Sequence, residues 1–161
     1  MSLLLNQVRE TPYNLQFVFV GEMYQWQFNS AFAAGITNYQ IHTSTDKFVH
    51  LIGHSYRTAS TAVTVRFIEL PVFVSTGTSL LPAYDVNRLT ATTPTMGIYS
   101  NPSATSGTII EDIKLISGNT WSQVTPEFIL ERGSDYLIQI SNAGSTAKKV
   151  DFSFAWYESG N

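Results

Sequence analysis

Three histidines are the residues of this sequence best suited to metal chemistry. His50 and His54 are four positions apart, which places both on one face of an extended strand unless Gly53 shifts the register. His42 lies on a neighbouring segment, and three imidazole nitrogens are enough to hold a zinc ion. Their spacing matches no established metal motif. We therefore expect polar, hydrogen-bonded histidines, with no bound metal or other cofactor.

Acidic side chains could catalyse hydrolysis if two of them faced each other across a cleft. Glycoside hydrolysis needs two carboxyl groups about 5 to 9.5 Å apart. Glu111 and Asp112 are adjacent, so on a strand they point to opposite faces. The other candidates lie near turns, where solvation or capping of the loop backbone is the ordinary role: Glu69, Asp85, Glu127, Glu131 and Asp135. The chain also lacks Gly-rich phosphate loops and a GxSxG nucleophile motif, and we predict a protein without catalytic residues.

Aromatic side chains are the third set of candidates, because a flat ring can stack on a sugar. The candidates are Tyr24, Trp26, Tyr39, Trp121 and Tyr157. Trp121 is the best single ligand-stacking residue, since it lies in the polar segment GNTWSQ. The alternative is that most of these rings fill the core of the protein or a subunit contact, where aromatic residues are enriched.

The composition excludes several classes of protein. Basic and acidic residues number 9 and 12, the net charge is −3, and only 13% of the 161 residues are charged. This balance does not provide the basic stripe of a nucleic-acid binder. No apolar run approaches the ~18 residues of a membrane-spanning helix, so we expect no membrane contact. Cysteine is absent, which excludes disulfides and thiolate metal sites.

Short alternating segments between turn-forming clusters must position these side chains. Val63, Val65 and Phe67, for example, share one face of a strand. The strands predicted in this way are residues 15–20, 23–28, 38–43, 47–58, 61–70, 72–75, 95–99, 107–117, 126–131, 135–141 and 147–158. We expect Gly53 to mark a bulge and residues 59–61 to join the flanking strands as a hairpin.

Many short strands without a helical pattern predict an all-β fold, an antiparallel β-sandwich. A jelly roll is the leading topology, because it places a strand from each end of the chain in the same sheet. An immunoglobulin-like sandwich is the competing topology. We predict an N-terminal arm at residues 1–14, followed by a single β-sandwich domain at residues 15–161. The arm either orders against a neighbouring subunit or frays as an ordinary terminus.

Several segments of the second half resemble small virion structural proteins of tailed bacteriophages, including the capsid decoration or cement proteins. The segments are FIELPVFVSTGTSLLPAYDVNRLT at 67–90, IYSNPS at 98–103 followed by SGTII, EFILERGSDYLIQISN at 127–142 and FAWYE at 154–158. Each is short, and their order and spacing carry the resemblance, which covers roughly residues 35–158.

The resemblance implies a non-enzymatic capsid protein of the virion with a jelly-roll or related fold. Such proteins commonly form trimers, bind the major capsid protein on the outer surface of the mature head and stabilise the shell. Assembly would then take place in the host cytoplasm. The alternative function is a carbohydrate- or receptor-binding module of a phage tail or fibre.

Two segments supply the predicted subunit or capsid contacts. In the arm they are Leu3, Leu4, Leu5 and Arg9, and in the loop between Pro82 and Pro94 they are Asp85, Asn87 and Arg88. The loop residues either pair across a subunit boundary or clamp their own loop, because Asx side chains often bond the local backbone.

Overall fold

The computed structural model describes residues 23–80, 84–85, 92–123 and 128–160, with the backbone path alone at 84–85 and 121–123. The predicted arm and the predicted strand at 15–20 lie outside these ranges. Within them no helix is long and apolar enough to cross a membrane. The strands are β1 (Met23–Phe32), β2 (Gly35–His42), β3 (Phe48–Thr58), β4 (Val63–Glu69), β5 (Val72–Ser75), β6 (Thr78–Ser79), β7 (Tyr84–Asp85), β8 (Gly97–Ser100), β9 (Ser103–Thr105), β10 (Thr108–Lys114), β11 (Thr120–Gln123), β12 (Phe128–Leu130), β13 (Asp135–Asn142) and β14 (Lys148–Ser159).

The strands form two antiparallel sheets and a separate two-stranded ribbon. The first sheet, sheet A, has the order β11-β3-β14-β1-β7, with β12 also paired to β3. The second, sheet B, has the order β10-β4-β13-β2-β8-β6. Strands β5 and β9 pair with each other as the ribbon. The predicted antiparallel β-sandwich is confirmed, while its assignment as a jelly roll stays a prediction.

The predicted hairpin between the third and fourth strands is wrong. Strand β3 pairs with β14 in sheet A, whereas β4 pairs with β13 and β10 in sheet B. The short connection at residues 59–62 therefore crosses from one sheet to the other. Its length fits a hairpin and a crossover equally well, and the register is decided instead by pairing with strands far away in the sequence.

The predicted bulge at Gly53 is confirmed. Gly53 pairs with Ala155, but the next residue of β14, Trp156, pairs with Leu51, so Ile52 is the extra residue in β3. A bulge of this kind reverses the alternation of side chains on the two sides of the inserted residue. The change of face allows Leu51 and His54 both to point into the core, where both are buried.

The core between the sheets is unusually aromatic. Val63, Val65 and Phe67 face into it from β4 as the alternation predicts, with 1% exposure or less. The aromatic rings include Tyr24, Trp26, Phe32, Tyr56, Phe67, Tyr136, Phe152, Phe154 and Trp156. Burying a large apolar side chain contributes about 1.5 to 3 kcal/mol each, so this cluster is the main source of stability of the sandwich.

The outer face of sheet B is also covered. Ile68 and Leu137 pair across β4 and β13 on the side opposite the core, yet both are buried. Gly107, which follows the ribbon strand β9, lies directly against Ile68: a Cβ atom at this glycine would be 2.5 Å from Ile68 Cγ2. The chain before β9 is fixed to the same sheet, because Asn101 donates its N–H to the carbonyl of Asn38 over 2.9 Å. The segments on both sides of β9 are therefore fixed to sheet B, one at its edge and one on this face.

Candidate functional site

A groove lies at the open side of the sandwich, where β1 of sheet A faces β6 and β8 of sheet B. It has a volume of about 590 Å³. Strand β1 pairs with β7 only at Tyr24 and Gln25, so beyond Gln25 this edge of β1 has no strand partner among the described residues. The residues that line this edge groove are Trp26, Phe28, Asn29, Ser30, Tyr39, Ser79, Leu80 and Ser100.

Three aromatic rings form the floor of the edge groove. The ring centroid of Phe28 lies 5.0 Å from that of Trp26 and 5.1 Å from that of Tyr39. Trp26 and Tyr39 meet edge to face at 5.5 Å. Trp26 is buried, whereas Phe28 and Tyr39 are half-buried, so the last two present ring surface to the groove. Such tilted and edge-to-face arrangements are the favourable ones for aromatic pairs, and they hold the floor rigid.

The rim of the edge groove is polar and uncharged. It is made by Asn29, Ser30, Ser79 and Ser100. Ser30 shares the face of Phe28 on β1, whereas the amide of Asn29 turns to the opposite face and donates to Asp151. The hydroxyls of Ser79 and Ser100 donate to the carbonyls of Leu80 and Thr78 and keep their acceptor capacity. Burial raises the pKa of the Tyr39 hydroxyl above its ordinary value of 10.0, so this group stays neutral and can donate a hydrogen bond at neutral pH. The groove therefore combines an apolar floor with neutral donors and acceptors.

Part of the lining of this groove can be predicted from the sequence. The alternation in β1 correctly places Trp26 and Phe28 on one face. The alternation does not show that β8 and β6 extend sheet B past the edge of β1. It also does not show that Ser79 and Ser100 lie beside this edge. Those residues come from a segment rich in turn formers, in which strands of two and four residues leave no periodic pattern.

A second surface feature is an exposed apolar patch on and beside the ribbon. Leu70, Val72 and Val74 follow one another at alternate positions, and all are more than half exposed. Ile109 is also exposed, and it lies near the start of this run, because it pairs with Ile68 at the end of β4. We call these four residues the ribbon patch.

Leu70 in the ribbon patch also has an unusual backbone conformation. Its φ angle is 50°, in the left-handed region that branched apolar residues rarely adopt. A non-glycine residue in this region costs roughly 1 to 2 kcal/mol. Its side chain is 59% exposed, so little burial compensates for that cost in the single chain.

The structure separates His50 from His54. The bulge next to Gly53 turns the two imidazoles to opposite faces of sheet A, so the register shift that would separate them is present and they do not share a face. His54 points into the core, with its Nε2 atom 2.8 Å from Oε2 of Glu111. His50 stacks on Tyr157, with 4.3 Å between ring centroids, and its Nε2 atom lies 2.8 Å from the hydroxyl of Ser159.

The third histidine and the adjacent carboxylates have local partners. The Nδ1 atom of His42 lies 2.9 Å from Oδ1 of Asp135 on the surface. Glu111 points inward and Asp112 outward to Arg66, which confirms that they occupy opposite faces. Among the described residues, no group of three or more His, Asp and Glu side chains is placed to hold a metal ion.

The predicted ligand-stacking aromatics have separate outcomes. Tyr24 and Trp26 are buried in the core, so the alternative that the rings fill the core is confirmed for these two. Tyr157 is also buried, but it stacks on His50 on the other face of sheet A. None of the three is exposed as a stacking platform. Tyr39 is half-buried in the edge groove. Trp121 lies in β11, where its backbone pairs with Tyr56 at the edge of sheet A.

The predicted contact residues lie mostly outside the described residues. This is the case for Leu3, Leu4, Leu5, Arg9, Asn87 and Arg88. Asp85 is in β7, where its backbone pairs with Tyr24 of β1. That pairing places this part of the predicted loop against the first described strand.

Comparison with known proteins yields one weak structural likeness. No protein-family model and no curated protein matches the chain. A solved structure titled "Structure of infectious bursal disease virus Gt strain" aligns with 86% of this chain and 40% of that chain, with 13% sequence identity and a TM-score of 0.20. The chain thus spans less than half of that protein, and a TM-score this low supports neither a shared fold nor a shared function.

Proposed function

We propose that this protein is a non-enzymatic structural protein of a virion that binds the outer surface of a phage head and stabilises the mature shell as a decoration protein. The ribbon patch is the observation that carries the proposal. It comprises three exposed apolar side chains within five consecutive residues, Leu70, Val72 and Val74, and a fourth, Ile109, on the strand paired with the end of β4, in a chain whose charged residues are few. Exposed apolar side chains that lie together mark surfaces for protein contact.

The energetics of the ribbon patch suit a contact with a protein. Removing one of these side chains from water contributes about 1.5 to 3 kcal/mol at full burial. The strained backbone of Leu70 supports the same interpretation, because strain that the isolated chain does not compensate is typical of binding sites. In the proposed complex, burial of the leucine side chain offsets this strain.

The strand order supports a jelly roll as the scaffold. Strand β14 from the end of the chain lies between β1 and β3 in sheet A, and β13 lies between β2 and β4 in sheet B. Strands β1 to β4 thus lie alternately in sheet A and in sheet B. In an immunoglobulin sandwich, by contrast, the first two strands of the chain are in the same sheet. A jelly roll consists of two Greek keys distributed over two sheets, and this alternation supports that topology for the scaffold.

Shell stabilisation follows from mass action. A protein that binds the expanded shell but not its precursor or its dissociated subunits shifts the equilibrium towards the expanded shell. Association as a trimer would multiply a modest contact into strong binding, because the second and third contacts become intramolecular. A few apolar residues per subunit are then enough.

Co-sedimentation with expanded heads assembled without this protein tests the proposal. We expect the purified protein to sediment with the heads and Val74→Asp to lose most of that binding. Ile129→Asp is the matched control, because Ile129 is exposed to a similar extent, 62% against 71%, but lies on β12 of sheet A. Absence of co-sedimentation, or equal losses in the two variants, would contradict the proposal.

Light scattering on a sizing column tests the oligomeric state separately. The proposal expects a particle of three times 17.9 kDa. A monomer at all concentrations would contradict the trimer and leave the capsid contact to the sedimentation experiment.

A further inference from the structure

We propose that the edge groove binds a neutral sugar ring, with Phe28 and Tyr39 as the stacking surface and the hydroxyl groups of the lining as hydrogen-bond partners. This inference rests on the groove alone. It is independent of where on a virion the protein is located, and it does not involve the ribbon patch.

The size and shape of the groove fit a small ligand. Its volume of about 590 Å³ lies within the ~300–1,000 Å³ that is usual for ligand sites. The floor is preformed, because the rings of Trp26, Phe28 and Tyr39 hold one another at 5.0 to 5.5 Å. Behind them Phe152 lies 5.0 Å from both Trp26 and Phe28. A ligand therefore meets a rigid surface and does not have to order it.

The chemistry of the lining selects an amphipathic ligand. A pyranose ring has one face of C–H groups and an edge of hydroxyl groups. The C–H face is complementary to the electron-rich faces of Phe28 and Tyr39, and the hydroxyls match the rim. The hydroxyls of Ser79 and Ser100 donate to the carbonyls of Leu80 and Thr78. A purely apolar occupant would exclude water from the hydroxyl of Ser30 without offering it a partner, and a buried group left unsatisfied costs about 1 to 3 kcal/mol.

The charge of the lining selects a neutral ligand. None of the eight residues has an acidic or basic side chain, and Tyr39 stays protonated at neutral pH because burial raises its pKa. An acidic sugar or a phosphate group would enter without a countercharge, which is costly in a half-buried site. The lining thus favours neutral hexoses and N-acetylhexosamines.

Ser30 is the polar residue of β1 that shares a face with the stacking ring of Phe28, because the two are two positions apart on the strand. Asn29 lies between them and points to the opposite face of sheet A, where its Nδ2 atom donates to Oδ1 of Asp151. The hydroxyl of Ser30 is therefore the group of β1 that can bond a sugar hydroxyl, as donor or as acceptor. A few polar groups placed in this way give orientation and specificity in ligand sites.

Two experiments on the full-length protein test the inference. The first is a glycan array that contains neutral, sialylated and sulfated glycans. The second is saturation-transfer NMR with methyl galactoside, methyl glucoside and N-acetylglucosamine as probes. We expect binding to a subset of the neutral glycans and no preference for the charged ones.

The variant Tyr39→Phe keeps the ring and removes only the hydroxyl. One lost hydrogen bond corresponds to a weakening of about threefold to tenfold in Kd. Tyr99→Phe is the matched control: Tyr99 lies on the neighbouring strand β8 but does not line the groove, and we expect it to bind like the wild type.

A second variant, Phe28→Leu, keeps an apolar side chain of moderate size and removes the stacking surface. We expect its binding to fall by at least tenfold while its thermal unfolding remains cooperative. The inference is overturned if no neutral glycan binds, if only charged glycans bind, or if both groove variants bind like the Tyr99 control.

Discussion

The imidazole of His54 and the carboxylate of Glu111 connect the two sheets through the core. The Nε2 and Oε2 atoms lie 2.8 Å apart, and the two side chains are only 2% and 10% exposed. His54 belongs to β3 of sheet A and Glu111 to β10 of sheet B. The aromatic rings of Tyr56 and Phe154 lie 5.7 and 5.4 Å from the imidazole, so each polar group depends strongly on the other.

We expect Glu111→Gln to lower the free energy of unfolding by about 1.5 to 3 kcal/mol, because it weakens a buried hydrogen bond to a charged group. Urea denaturation measures the effect. Asp112→Asn is the matched control: Asp112 is the next residue, and its pair with Arg66 is largely exposed. An exposed pair contributes about 0 to 1 kcal/mol, so equal losses in the two variants would show that the buried pair has no special role.

Tyr56 makes the stability depend on pH in alkaline solution. Burial first, and the nearby carboxylate of Glu111 second, raise the pKa of Tyr56 well above 10.0 in the folded state. Above pH 10 the unfolded chain therefore releases this proton while the folded chain keeps it, and stability falls as the pH rises. Below pH 10 neither state ionises and the contribution is constant.

We expect Tyr56→Phe to reduce the alkaline loss of stability by about 1.4 kcal/mol per pH unit above pH 10, the value for one proton. Denaturation curves between pH 7 and pH 11 give the two slopes. The difference between the proteins at pH 7 is the internal control, since it measures the loss of the hydroxyl apart from its titration. Parallel curves over this range would refute the assignment.

Local alternation predicts most of the sandwich because it follows directly from burial on one side of a strand. Val63, Val65 and Phe67 face the core as predicted, and so do Phe152 and Phe154. The burial of Ile68 on the other face is not predictable in this way. It depends on the close approach of Gly107, which is far away in the sequence and carries no periodic signal.

The candidate site is less predictable than the fold because it forms where edge strands of the two sheets face each other. Trp26 and Tyr39 are recognisable as candidate aromatics, but only the pairing of β2 with β8 shows that Ser100 lies directly opposite Tyr39 in the groove. The faces of the histidines are also not predictable from spacing alone. A single inserted residue beside Gly53 reverses the face of His50 relative to His54, and a glycine in a strand does not show how the register changes.

Glu158 fixes the chain that leads into β8. Its fully buried carboxylate accepts hydrogen bonds from the N–H and hydroxyl groups of Thr95 and from the N–H of Met96, over 2.7 to 3.0 Å. We expect Glu158→Gln to destabilise the fold by about 2 to 4 kcal/mol, because an amide has one acceptor oxygen in place of two and turns its NH₂ towards these donors.

Hydrogen exchange locates the effect of that substitution. The amides of Thr95 and Met96 should exchange much faster in Glu158→Gln, by more than the global change in stability explains. Thr95→Val is the graded control, since it removes one of the bonds to Glu158 and should cost about 1 kcal/mol. Unchanged protection of the two amides would contradict the proposed anchoring.

Gly107 holds the segment after the ribbon against sheet B. Its φ angle is 124°, and an added Cβ would lie 2.5 Å from Ile68 Cγ2 and 3.0 Å from the carbonyl of Glu69. We expect Gly107→Ala to cost about 2 to 4 kcal/mol, from backbone strain and overpacking together. Gly35→Ala is the control for strain alone, because Gly35 has a similar φ of 113° with nothing within 4 Å, and it should cost about 1 to 3 kcal/mol. Equal melting temperatures for the two variants would rule out the steric contribution.

We expect a substitution at Leu70 to change the stability of the protein and its binding to heads in opposite directions. Asparagine tolerates the left-handed region better than leucine, so Leu70→Asn should raise the free energy of unfolding by up to about 1 kcal/mol. The same change removes an apolar side chain from the ribbon patch, so co-sedimentation with expanded heads should fall. Leu80→Asn gives the contrasting result, because Leu80 packs against the core and its loss should lower stability. A Leu70→Asn protein that is less stable than the wild type, or that binds heads equally well, would show that the strain at Leu70 is not maintained for binding.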